Sequence, residues 1–419
     1  MGAAGRGRGV ADRPLSMANI GYIQVVRHCN HFCGFCSNPS SPYVHTEESL
    51  RALVDDLVRR DYYGVVLTGG EPTLHPELPG VIRYAKERGL HVRMITNGHR
   101  LAEPAFADAV AAAGLDLVHV SVYSVRPDVE ASLRGSEGTL DRAFAAIEAA
   151  ADRGVEVNVN CVINKLNADH LDENIRHFIR HHPRVRHFVW NNLDPSMGRA
   201  EVNQARFLHR LADFRQSLFR ALRLLHASGR SFRVERVPLC FMPEFAWAST
   251  ETRKIVKGEE RIVHFLDDKQ SVRQTEWDHI YASGCAECSA RSICGGLFER
   301  GDGFDPAELR PLTIPLRPIV QAIIADPGDP SYAHRSFEAW EVEHARRVEE
   351  ARSRPRPDRS GELPPPEMRP EGAPRVGQIT EESEARYERS LGAVARRAER
   401  LGIQPERPVR SLPIASDGD

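Results

Sequence analysis

Two groups of cysteines define most of the chemistry this 419-residue chain can be expected to perform. Cys29, Cys33 and Cys36 lie in CNHFCGFC, a C-x3-C-x2-C spacing directly after an apolar, strand-like run. Cys285, Cys288 and Cys294 lie in CAECSARSIC, a C-x2-C-x5-C spacing followed by Gly295 and Gly296. Cys161 and Cys240 stand alone and complete the eight. Clustered thiols in a cytosolic chain of this size are read as metal ligands rather than disulfides. Three thiolates as close as the first set can each bind one iron of a 4Fe–4S cube, which leaves the fourth iron open. An open position is what a metal needs to bind a substrate or cofactor. The competing chemistry is zinc, or a cluster completed elsewhere, with His28 and His31 as local candidates.

The surrounding pattern says what must position these ligands. Between about residues 20 and 190, short apolar runs at 22–27, 65–68, 91–96, 117–122, 156–163 and 185–190 alternate with amphipathic patterns. The latter, at 46–60, 77–88, 103–113, 139–153 and 169–181, predict helices. Gly64, Gly89, Gly114 and Gly154 follow the first four, as helix C-termini favour. Such alternation predicts a parallel sheet. Six repeats are too few for an eight-stranded barrel, so the expected fold is α/β, a partial (β/α)6 TIM-like barrel spanning residues 18–235. Ligands then sit at the carboxyl ends of its strands. A long helix is expected over 202–228, followed by a strand-like run at 231–237. Residues 1–17 read as a flexible arm. Residues 351–419 are rich in Pro, Arg and Glu and read as a largely disordered tail, with a helix at 381–401 that has a weak apolar stripe.

The first cysteine motif, with Phe35 before the third cysteine, resembles the signature of the radical S-adenosylmethionine (SAM) superfamily. There, SAM chelates the open iron through its amino and carboxylate groups. One electron then releases methionine and a 5′-deoxyadenosyl radical. Thr68–Pro72, reading TGGEP at the end of the second strand, is similar to the family's GGEP turn. The resemblance implies that Gly69, Gly70, Glu71 and Pro72 hold the SAM amino group. It also implies SAM contacts from Asn97 in the Ile-Thr-Asn-Gly run, from Ser121, and from Asn160, which shares a face of the fifth strand with Asn158. Cys161 falls on the opposite face, where a small buried thiol is expected and a hydrogen-atom donor is the alternative.

The second motif resembles the carboxyl-terminal SPASM or twitch extensions of the same superfamily, which carry auxiliary clusters. It departs from the full SPASM core, because Phe298 stands where the core's last cysteine would be. With no later cysteine, Cys240 joins Cys285, Cys288 and Cys294 as the economical ligand set for one second, auxiliary 4Fe–4S cluster in a small iron–sulfur extension at 236–305. Residues 306–350 form a mixed extension beyond it. The alternative is a structural zinc on the same four thiolates. Arg253, Lys254, Lys257 and Arg261 between these cysteines read as a solvated charged run, or as a face toward an acidic substrate.

The net charge of −2 implies no nucleic-acid partner. No stretch approaches the roughly 20 apolar residues of a membrane span. The start has no apolar signal core, so the expected location is cytoplasmic. The resemblance implies an oxidoreductase or mutase reduced by a partner such as flavodoxin or ferredoxin. Its expected substrate is a ribosomally made peptide. The alternatives are a sugar, cyclitol or other small metabolite on a dehydrogenase, epimerase or mutase, and, in a different class, a non-catalytic zinc scaffold.

Overall fold

A computed structural model describes residues 20–38, 41–259, 261–264, 271–274, 279–298, 303–326 and 335–353, with short pieces beyond 383. The arm at 1–17 and most of the tail lie outside the described residues. Each of the six expected strands is present: β1 (Ile20–Val26), β2 (Gly64–Gly69), β3 (His91–Thr96), β4 (Leu117–Ser121), β5 (Glu156–Ile163) and β6 (His187–Asn192). They pair in parallel and in sequence order. The run at 231–237 adds a seventh parallel strand, β7 (Ser231–Glu235), beside β6. On the other side, β8 (Arg261–His264) pairs in parallel with β1, and β9 (Ser271–Gln274) pairs antiparallel with β8. The fold is the expected partial barrel, one repeat longer.

Alternation along each strand separates two faces. Ile23 and Val25, Val65 and Leu67, Val92 and Met94, Val118 and Val120, and Phe188 and Trp190 are all buried in the main core. The helices that cover them are α1 (Glu47–Arg59), α2 (Leu78–Glu87), α3 (Pro104–Ala112), α4 (Pro127–Arg134), α5 (Thr139–Asp152) and α6 (Leu171–His181). The opposite face carries Gln24, Thr68, Arg93, His119, Ser121, Asn158 and Asn160, so the inside of the half-barrel is polar. At Gly21 a Cβ would lie 2.3 Å from a Leu57 methyl carbon, which lets α1 lie close on β1.

The single helix expected over 202–228 is two, α8 (Gln204–Phe207) and α9 (Leu211–Ala227), preceded by a short α7 (Gly198–Val202). The break has a hydrogen-bonding cause. The Phe207 carbonyl accepts from Lys165 N at 2.8 Å, and His209 turns inward to Asn192 Oδ1 at 2.8 Å. After β7 the chain runs through short 3₁₀ turns to α10 (Thr250–Lys257). Val234 of β7 forms a single parallel bridge with Ser249. A second apolar cluster, including Leu239, Ile293, Val320, Ile323 and Trp340, joins this region to α11 (Leu316–Ile324) and α12 (Phe337–Ser353).

The charged run on α10 is not solvated. Arg253, Lys254 and Lys257 are all buried. Arg253 pairs with Asp326 at 2.5 Å, Lys257 with Glu259 at 3.5 Å and Arg261 with Glu235 at 3.7 Å. Burial lowers the Lys254 pKa to about 8. None of the four lines the cysteine cavity described below, so their acidic partners are this chain's own carboxylates rather than a substrate's.

Candidate iron–sulfur and SAM site

At the carboxyl ends of the strands lies a cavity of about 310 Å³. Cys29, Cys33 and Cys36 line it on the loop after β1. Gly69, Gly70, Glu71, Asn97, Ser121 and Asn160 line it from the ends of β2 to β5, together with Phe35. Seven of the eight residues expected around SAM therefore share one wall with the three thiols. Pro72 stands behind that wall, where it starts a buried 3₁₀ turn.

The turn after β2 is built for close approach. Gly69 has φ +140°, and a Cβ on it would lie 2.1 Å from the Val26 carbonyl oxygen. Any larger residue would push the turn off β1. The Glu71 carboxylate ties this turn to the next strand. Its Oε1 accepts from Thr73 N at 3.2 Å, Thr73 Oγ1 at 2.6 Å and Thr96 Oγ1 at 2.6 Å. Its Oε2 accepts from Asn97 N at 2.7 Å. Burial raises the Glu71 pKa, and these four donors act against that rise.

The cysteine loop is held from two sides. Arg134, fully buried at the end of α4, bonds Glu130 Oε1 at 2.5 Å, the Asn97 carbonyl at 3.1 Å and the Ser121 carbonyl. Its Nη1 lies 3.2 Å from His31 Nδ1, and its own carbonyl accepts from Phe32 N at 3.0 Å. One guanidinium thus joins the ends of β3 and β4 to the loop. The second hold comes from α7. Arg199 Nε donates to the Cys33 carbonyl at 2.8 Å, and Ala200 N donates to the Cys36 carbonyl at 3.2 Å.

Sequence reasoning missed both clamps. The one available signal was Pro127 with Asp128 and Glu130, which marks a short helix start. Arg134→Ala leaves Glu130 charged and unpaired in a fully buried place. It is expected to cost about 3–5 kcal/mol, measurable by denaturant unfolding of the metal-free protein.

Sulfur chemistry at the site fits a cluster. Burial pushes the Cys29 thiol up to about 12 and raises Cys33 as well, so ligation has to displace protons from both. Cys29 Sγ already accepts from His31 N at 3.4 Å, and Cys36 Sγ from Asn38 N at 3.4 Å. Among the described residues, no group of three or more His, Cys, Asp or Glu is arranged to hold a single metal ion. All three thiols line the one cavity. His28 and His31, the candidate fourth ligands, are both buried, and His31 is engaged with Arg134.

The cavity is also lined by residues that the motifs did not indicate: Arg27, Asn191, Asp194, Arg199 and Arg236. Asn191 Nδ2 donates to Asn160 Oδ1 at 2.6 Å. Arg236, at the end of β7, has φ +62°, an uncommon conformation for a residue with a Cβ. Its N–H is held by Glu251 Oε1 at 3.0 Å, and its Nη1 stands 3.6 Å from Asp194 Oδ2.

A second, much smaller cavity is lined by Cys240, Cys285, Cys288 and Cys294, the four thiols grouped from the sequence. Backbone donors point at its sulfurs. Gly296 N lies 3.3 Å from Cys294 Sγ, and Leu312 N lies 3.3 Å from Cys288 Sγ. Cys161 is elsewhere, buried on the helix-facing side of β5 with its thiol toward the Tyr123 carbonyl at 3.6 Å.

The strand order and the thiol-lined cavity define a parallel half-barrel built around a cysteine loop. Residues 23–178 match the family model described as Radical SAM superfamily. It is 31% identical over 157 residues to the PqqA peptide cyclase of Ruegeria pomeroyi, covering 36% of this chain and 41% of that one. It is 33% identical over 147 residues to the "Probable GTP 3',8-cyclase" of Thermococcus kodakarensis, covering 34% and 47%. The chain thus spans less than half the length of these curated relatives. Among solved structures, Streptococcus suis SuiB bound to S-adenosylmethionine superposes with TM-score 0.52 at 16% identity, covering 67% of this chain and 73% of that one. Native anSMEcpe with bound AdoMet and Kp18Cys peptide gives 0.52 at 16% identity, covering 78% and 99%. At such identity these two likenesses speak for the fold alone. Among the described residues, no helix is long and apolar enough to cross a membrane.

Proposed function

We propose that the chain is a radical SAM maturase that abstracts a hydrogen atom from a ribosomally made peptide. The observation that carries this reading is the shared wall on which Cys29, Cys33 and Cys36 meet the Gly69–Gly70 turn and the polar ends of β3 to β5. When bound there, the cluster and SAM would supply the electron and the 5′-deoxyadenosyl radical. Cys29, Cys33 and Cys36 are the ligands we assign to that cluster. Glu71 Oε2 accepts one bond in this structure, and a carboxylate oxygen can accept two, so we assign it to the SAM amino group. Gly69, Gly70, Pro72, Asn97, Ser121, Asn160 and Phe35 complete the pocket. Arg134 and Arg199 keep the loop in register with the strand ends.

The peptide substrate is supported by the PqqA peptide cyclases among the relatives. The cavity's volume lies at the low end of the roughly 300–1,000 Å³ of ligand sites. Cys240, Cys285, Cys288 and Cys294 are assigned to an auxiliary 4Fe–4S cluster in a SPASM/twitch-like extension, and the reducing partner to a flavodoxin or ferredoxin.

The test is anaerobic reconstitution with iron and sulfide, then dithionite and SAM, with and without a short peptide encoded beside the gene. The expected result is 5′-deoxyadenosine together with a peptide that has lost hydrogen or gained a cross-link. 5′-Deoxyadenosine without any change to the peptide would move the assignment to a small-metabolite substrate. Absence of 5′-deoxyadenosine would remove the radical SAM activity itself.

A further inference from the structure

The chain's last described residues return to the cysteine loop. Arg400 is helical, and Gly402 has φ +60°, the left-handed conformation that ends helices. Ile403 then enters the main core, only 3% exposed, in the same cluster as Phe207 and Phe35. Gln404 meets Asn203 twice. Its N–H donates to Asn203 Oδ1 at 2.7 Å, and its carbonyl accepts from Asn203 Nδ2 at 2.8 Å. Asn203 is itself buried and joins α7 to α8. A side-chain amide satisfied by both backbone groups of one residue mimics a strand pairing, and it fixes the register of a segment 201 residues away.

These contacts lead to the cysteines by two short routes. Asn203 Nδ2 also donates to the Arg199 carbonyl at 2.8 Å, and Arg199 Nε donates to the Cys33 carbonyl at 2.8 Å. Gly34, between Cys33 and Cys36, lies under Phe207 and Ile403. A Cβ at Gly34 would sit 2.6 Å from the Phe207 ring and 3.0 Å from the Ile403 Cδ1. The loop has no spare space there, so the position of Ile403 and the position of the loop backbone depend on each other.

We propose that residues 402–405 are a strap that positions the cysteine loop, with Ile403 and Gln404 as its positioning residues acting through Gly34, Asn203 and Arg199. With the strap seated, the Cys33 and Cys36 carbonyls are fixed and the loop is closed to solvent on the Phe207 side. With it released, the loop opens locally while the barrel persists. The inference rests on the reading of Cys29, Cys33 and Cys36 as cluster ligands only for its consequence on iron retention.

The test compares full-length wild type, Ile403→Asp and Asn203→Ala, with Ile403→Val as the conservative control. Amide hydrogen exchange across residues 29–38 is followed by mass spectrometry before and after reconstitution. Loss of the 400 nm absorbance to a chelator is followed after it. Local opening shows as faster exchange confined to the opened segment. Exchange in the loop is expected to rise at least about tenfold in Ile403→Asp and Asn203→Ala, with β4 to β6 unchanged and Ile403→Val near wild type. In the reconstituted protein, iron should leave the first site correspondingly faster, while the second site retains its own. Unchanged loop exchange overturns the strap. So does faster exchange across the whole barrel, which would make Ile403 an ordinary core residue. A protein that takes up no iron at the first site overturns the cluster reading, and the exchange measurement still decides on the strap.

Discussion

Replacing Cys29, Cys33 and Cys36 together with alanine is expected to remove about four iron atoms per chain and all reductive SAM cleavage. In the cluster assigned above each thiol would serve a different iron, so no two could carry it alone. The scaffold should survive. The loop backbone is held by Arg134 and by α7 through Phe32 N and the Cys33 and Cys36 carbonyls, none of which needs a sulfur. The triple variant should therefore stay soluble, with a melting temperature near that of the metal-free wild type. Iron analysis and chromatography of 5′-deoxyadenosine under dithionite check the prediction. Persistent 5′-deoxyadenosine would mean that the radical arises elsewhere.

Cys240→Ala separates the two cysteine sets. Its thiol faces a cavity shared with Cys285, Cys288 and Cys294, whereas Cys161 lies on β5 against the Tyr123 carbonyl. Cys240→Ala should lower iron by about one cluster and abolish peptide turnover, while SAM cleavage without substrate continues. Cys161→Ala should keep its full iron complement, because it deletes only a small buried thiol. Iron loss in Cys161→Ala instead would break the ligand assignment. Full iron in both variants would mean that a group other than Cys240 completes the second site.

Much of this arrangement was legible in the chain. Strand–helix alternation gave the parallel sheet, because period and turn residues are local properties. The cysteine spacings and the TGGEP turn located the cavity, because both fall at the ends of adjacent strands. What stayed hidden depends on partners distant in sequence. Arg134 reads as an ordinary charge at the end of a short helix until the fold brings the Asn97 and Ser121 carbonyls to it. The α10 cations read as solvated because Asp326 is 73 residues from Arg253. The helix expected over 202–228 reads as continuous because the partner that turns His209 inward, Asn192, lies on β6. Ile403 is a single apolar residue beyond a polar, Pro-rich stretch, and no periodicity marks it for burial.

The bridge between Val234 and Ser249 has a consequence for self-association. β7 is the last strand on its side of the sheet, so its outer N–H and C=O groups are a template for another chain. That bridge, the turns that carry Cys240 toward α10, and the Arg233–Asp326 ion pair stand over it. The segment that gathers the second set of thiols is therefore also the cover of an aggregation-prone border. Displacing that segment would open the border to another chain.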